Sequence, residues 1–115
     1  MLLENEEEIR NVLTHQLTQA GYEVVCPVDS YVGLECASQH PFDLIMLSEE
    51  MPLIDGPGFL ESVRSAGFKG PAIVFFRARL DASKSDIMAA APCLWIQKPF
   101  QIDALLKQIE SQLNT

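Results

Sequence analysis

The sequence predicts an α/β domain, a doubly wound parallel sheet of five strands in (βα)5 order, filling residues 1–115 as a single domain. Three observations carry this expectation. Short apolar runs of strand character alternate with helical patterns. The runs are continuously apolar and do not alternate with period 2, as befits strands covered on both faces. No repeat, linker or low-complexity tract divides the chain.

The strand-like runs are 1–3, 23–26, 44–47, 72–76 and 94–97. The first helix, about 6–20, places Ile9, Val12, Leu13 and Leu17 on one face and stops before Gly21, a residue suited to the left-handed position after a helix. Asp29 or Ser30 can cap a second helix reaching Gln39. Pro57 or Gly58 opens a third, which ends at Ala66 before Gly67. A fourth spans about 82–91 with Asp81 as its candidate cap, and the last, 102–113, lines up Leu105, Leu106, Ile109 and Leu113. The first strand has only three residues ahead of Glu4, short for a central strand.

Composition narrows the partners. With 48% apolar and 21% charged residues the chain is an ordinary globular one, but its net charge of -8 repels phosphate backbones and anionic lipid, and no Lys/Arg cluster offsets it. Nucleic acid and membrane are therefore not expected as partners. No apolar stretch approaches the roughly 20 residues of a membrane span, and "MLLENEEEIR" is acidic where a signal peptide is basic, so a cytoplasmic location is expected. Cys26, Cys36 and Cys93 lack C-x-x-C spacing and read as buried free thiols.

In folds of this class, sites form beyond the carboxyl ends of the strands. Those ends hold Glu4 and Asn5, Ser48, Phe76 with Arg77, and Lys98. The stretch "FDLIMLSEEMPLIDG" poses the sharpest question, because its apolar strand runs into a serine. No G-x-S-x-G elbow surrounds Ser48, His15 lies on the polar side of the first helix, and His40 precedes a loop proline, so serine hydrolase chemistry has no partners. Ser48 reads instead as a small polar residue bonded to the following backbone.

From end to end the chain resembles the receiver domain of two-component response regulators. "LLENEEEIR" sits where that family ends a strand in an acidic pair, "LIMLSEEMPLIDG" is close to its strand-Asp-x-x-Met-Pro-x-x-Asp-Gly signature, and "LWIQKPF" resembles its fifth strand with the Lys-Pro step. The resemblance implies the flavodoxin-like strand order 2-1-3-4-5 and a cis Lys98–Pro99 bond. It also implies a degenerate site, a pseudo-receiver. Ser48 stands at the phosphoacceptor aspartate, Asn5 at a direct magnesium ligand, Phe76 at the hydroxyl that follows the phosphoryl group, and Arg77 at the small residue beside it. Lys98 is retained, Glu4 is an allowed variant, and Trp95 occupies the site of the rotating aromatic switch.

The pocket group is thus Glu4, Asn5, Ser48, Glu50, Phe76, Arg77 and Lys98, with no catalytic residue and no cofactor expected. Three carboxylates about 4 Å apart repel by on the order of 4 kcal/mol per pair at an effective dielectric of 20, which a magnesium ion relieves. Here Glu4 and Lys98 nearly cancel, Arg77 and Arg79 read as solvated loop cations with Arg77 also able to pair with Glu4 or Glu49, and magnesium binding is expected to be weak or absent. Phe76 reads as filler of core or pocket, and Trp95 as a fixed aromatic at the core edge.

The function this implies is phosphorylation-independent interaction or dimerisation, without enzymatic activity. The family's usual docking face, formed by its fourth helix, fifth strand and fifth helix, maps to Ser83 to Met88, Trp95 and the outer side of 104–112. The alternative is active phosphotransfer onto Ser48 or a neighbouring glutamate. An FMN-binding protein of the same topology needs a hydroxyl-rich phosphate loop, and "ENEEEIR" would repel phosphate.

Overall fold

The structure, a computed structural model, describes residues 1–77 and 93–114. Its sheet contains β1 (Leu2–Leu3), β2 (Ile45–Ser48), β3 (Ala72–Phe76) and β4 (Cys93–Gln97), all parallel and in that spatial order. Helices α1 (Glu7–Gln19), α2 (Ser30–Gln39), α3 (Gly56–Ser65) and α4 (Ile102–Leu113) cover it. The expected helix over 82–91 with its cap Asp81, the cation Arg79, and the Ser83 to Met88 part of the expected docking face lie outside the described residues.

Successive side chains on a strand point to opposite faces, and the core divides accordingly. Leu3, Ile45, Leu47, Ala72 and Val74 pack with Phe59, Leu60 and Val63 of α3. Leu2, Met46, Ile73 and Phe75 pack with Leu13 and Leu17 of α1 and Leu105 and Ile109 of α4. Each such Leu or Ile contributes about 1.5–3 kcal/mol on burial, so the two clusters fix α1 and α4 to one side and α3 to the other. The chain is doubly wound, as expected.

One expected strand is missing. Residues 23–26 form no strand; their link to the sheet is the Leu2 amide, which donates to Val25 O at 2.9 Å. A two-residue β1 offers too few backbone groups on that side to build a ladder. Tyr22, Val24 and Cys26 still pack against the α1 and α4 cluster, while Glu23 and Val25 face out. The sheet therefore has four strands among the described residues, and these keep the relative order expected of them.

The helix ends follow local chemistry. The Asp29 carboxylate accepts from Val32 N at 2.9 Å and caps α2. Asp55 caps α3 by accepting from Gly58 N at 2.8 Å, so α3 opens at Gly56, one residue before the Pro57 or Gly58 start read from sequence. Gly21 and Gly67 take positive φ beyond α1 and α3, at 94° and 109°. The Lys98–Pro99 bond is cis, and the three cysteines are free and half-buried. Among the described residues no helix is long and apolar enough to cross a membrane.

Candidate functional site

The carboxyl ends of the four strands converge. β1 delivers Glu4 and Asn5, β2 delivers Ser48, β3 ends in Phe76 before Arg77, and β4 leads to Lys98. The Lys98 amide donates to Phe76 O at 2.7 Å and the Glu49 amide to Phe75 O at 2.7 Å, so the sheet's own ladder continues into the site. Gly56 closes the floor: a Cβ there would stand 2.4 Å from Ser48 O. The Gly56 amide also donates to Glu49 O at 2.8 Å. The Asp-Gly step after the Met-Pro turn thus caps α3 and lets its first residue touch the backbone that carries Ser48.

Ser48 hydrogen-bonds side chains, contrary to the expected bond to its following backbone. Its hydroxyl donates to Glu4 Oε1 at 2.6 Å and accepts from Lys98 Nζ at 3.0 Å. Lys98 Nζ also lies 2.5 Å from Glu4 Oε1 and 2.7 Å from Glu6 Oε2. Of the three N–H donors of the ammonium, one goes to Glu6 Oε2 and one to Ser48 Oγ, with Glu4 Oε1 in ion-pair contact. Glu4 Oε2 accepts from the Glu6 amide at 3.0 Å, and with the Asn5 amide turned so that its nitrogen faces acceptors, from Asn5 Nδ2 at 3.0 Å as well. The same nitrogen reaches Glu50 O at 3.2 Å.

Both charged side chains at the centre are out of water, Glu4 at 0% and Lys98 at 4% exposure. Taking two ions from water costs several kcal/mol each unless pairing and hydrogen bonds replace the solvent. Here both Glu4 oxygens accept hydrogen bonds, and Lys98 donates to Glu6 and Ser48 while pairing with Glu4, so protein groups replace the solvent around the buried pair.

Glu6 is the residue sequence reading missed. Its carboxylate bridges Lys98 and Arg77, and the Lys98 hydrogen bond, then Arg77, holds it below the usual carboxylate range. Arg77, half exposed as a loop cation is expected to be, pairs with Glu6 and not with Glu4 or Glu49. The signal was present: Glu6 is the N-cap of α1, the third residue of an acidic run at the end of β1, where a carboxylate can turn back over the strand ends. The local charges of Glu4, Glu6, Lys98 and Arg77 then cancel.

Phe76 and Trp95 meet edge to face, with centroids 6.0 Å apart and planes at 62°. Trp95 packs on the α3 side of the core, and its buried indole Nε1 has no hydrogen-bond partner among the described residues. A cavity of about 230 Å³ opens beside the network, lined by Asn5, Glu6, Ser48, Glu50, Phe76 and Arg77 among others. Among the described residues no three His, Cys, Asp or Glu side chains group as a metal site would require. Chemically, among the described residues the Ser48 hydroxyl donates to the Glu4 carboxylate, already engaged by Lys98, and Lys98 donates to Ser48 without accepting from it.

The family profile of the response regulator receiver domain matches residues 1–110. The transcriptional regulatory protein DltR of Streptococcus agalactiae is 31% identical over 110 residues, covering 95% of this chain and 49% of its own length. The solved chemotaxis protein CheY4 of Vibrio cholerae is 28% identical with a TM-score of 0.82, covering 97% of this chain and 95% of its own. The receiver domain of the Francisella response regulator 1452 superposes with a TM-score of 0.87 at 18% identity, over 98% of this chain and 93% of its own, a likeness of fold. The chain spans about half the length of the curated relatives it matches.

Proposed function

Because this chain belongs to the response regulator receiver domain family, we propose that it is a phosphorylation-independent receiver, a non-enzymatic cytoplasmic module that docks a protein partner or a second copy. The observation that carries this reading is Ser48. At the position the family gives to its phosphoacceptor, the chain offers a hydroxyl that is 2% exposed and held between Glu4 and Lys98.

The surrounding residues support the same reading. A hard divalent cation takes charged oxygens, whereas both Glu4 oxygens already accept hydrogen bonds and Asn5 turns its amide nitrogen inward. The donor set does not fit magnesium. Phe76 and Arg77 line the space a phosphoryl group and its donor would enter, and Glu6 already takes the retained lysine. Signalling then rests on surfaces; the family's face of fourth helix, fifth strand and fifth helix, with Trp95 fixed in it, is one candidate. The net charge of -8 disfavours nucleic acid and anionic membranes for this domain.

Intact-mass spectrometry after incubation with acetyl phosphate and magnesium tests the proposal. The mass should stay that of the unmodified chain. A stoichiometric phosphate adduct would establish the alternative, phosphotransfer onto Ser48 or a neighbouring glutamate.

A further inference from the structure

A second site lies at the corner where the loop before α2 meets the loop before α3. Five large apolar side chains stand exposed among the described residues, and three of them belong to this corner: Val28 at 86%, Leu53 at 65% and Tyr31 at 60%. The corner is fastened from within, since Ser30 Oγ donates to Ile54 O at 2.9 Å and reaches Pro52 O at 3.4 Å. A groove of about 440 Å³ opens between the two loops and α1, with Val28, Met51 and Pro52 among its walls.

Leu53 adds an independent sign. Its φ is 73°, the left-handed region, and it is the one non-glycine residue there among the described residues. A bulky side chain in that region is disfavoured because its Cβ crowds the following carbonyl oxygen; such strain persists only where the surrounding structure holds it, and it clusters at functional sites. Here the strained residue is an exposed leucine at a loop tip, where Gly or Asn would sit without cost.

Charge selects the occupant. Asp29 lines the groove and the exposed Glu50 and Asp55 bracket Leu53 in the sequence, while Arg10, the one cation lining the groove among the described residues, is tied to Glu4 O at 3.0 Å. A second copy would lay this acidic rim on itself in a symmetric contact. Nucleic acid and anionic lipid bring the same sign. We propose that this corner docks a basic amphipathic protein segment, an apolar stripe entering around Val28 and Leu53 with Lys or Arg flanking it against the acidic rim. The proposal rests on the reading of the domain as an interaction module and gives that module its partner chemistry.

The test uses a fluorescein-labelled helical peptide of about 18 residues with Leu at i, i+3, i+4 and i+7 and Lys elsewhere, beside a peptide of the same composition whose leucines are scattered. Anisotropy titration of the intact chain should show saturable binding of the striped peptide. The uncharged pair of changes Val28→Ser and Leu53→Gly should weaken it by about tenfold or more, while the urea midpoint shows the variant folded. Equal binding of the two peptides, or no loss in the variant, would reduce the effect to bulk charge and overturn the proposal, as would no binding at all. None of these outcomes depends on phosphate, so the phosphorylation test stands or falls separately.

Discussion

Ser48 and Glu4 come from strands 44 residues apart in sequence, and the hydroxyl of the first donates to the buried carboxylate of the second at 2.6 Å. This bond makes Ser48 a structural member of an ionic network. Ser48→Ala removes the hydroxyl that donates to Glu4 and accepts from Lys98, leaving both charges with one partner fewer. Chemical denaturation should show a loss of about 1–3 kcal/mol. A loss of only about a few tenths of a kcal/mol, as for an ordinary surface change, would mean the network does not need its serine.

The outer half of the network should be visible in acid. Glu6 has its folded pKa lowered chiefly by the Lys98 hydrogen bond, so it contributes stability above its unfolded value, and that contribution is lost as pH falls through the folded one. Glu6→Gln should therefore cost stability near neutral pH and flatten the decline between about pH 5 and pH 3. With its side chain 37% exposed, the effect should shrink in added salt. Urea midpoints of both proteins across that range check it; parallel curves would remove Glu6 from the network.

Much of this arrangement was legible in the sequence. Three strands at the right spacing, the Asp29 cap, Lys98 at the end of β4 and its pairing with Glu4 all follow from local pattern and charge. Residues 23–26 did not form a strand because strand formation depends on a neighbour's free backbone, and β1 has only two residues to offer. Glu6 was hidden for a different reason: in an acidic run such as "ENEEE" composition cannot say which carboxylate turns back over the sheet. The Asp55 cap was overlooked because the following Gly56 reads as a turn residue until the approach of α3 to β2 is seen.

That approach makes its own prediction. Gly56→Ala puts a methyl group where Ser48 O lies 2.4 Å away and Glu49 Cα 2.8 Å away, both backbone, so no side-chain rotation can relieve it. The start of α3 must back off the strand that carries Ser48. A cost of about 3 kcal/mol is expected, read from urea unfolding, together with amide shifts at Ser48 and Glu49 in NMR spectra of the folded fraction. A neutral substitution would show that α3 is not seated on the site.

Restoring the acceptor should not restore phosphorylation. Ser48→Asp replaces a donor to Glu4 with a second carboxylate at hydrogen-bond distance, so the pair repels, and Lys98, already shared with Glu6, is the cation that faces both. The single variant should be less stable and remain unmodified by acetyl phosphate. Asn5 still presents an amide in place of a carboxylate, Phe76 still lines the cavity beside Ser48 and meets Trp95, and Arg77 still pairs with the Glu6 that takes the lysine. The combination Asn5→Asp, Ser48→Asp, Phe76→Thr and Arg77→Ala addresses each obstacle, and it should gain magnesium binding and a phosphate adduct by intact mass. The gains should be strongly non-additive because the groups share one site. Efficient phosphorylation of Ser48→Asp alone would show that the neighbouring residues pose no obstacle, and that one substitution separates this pocket from phosphotransfer.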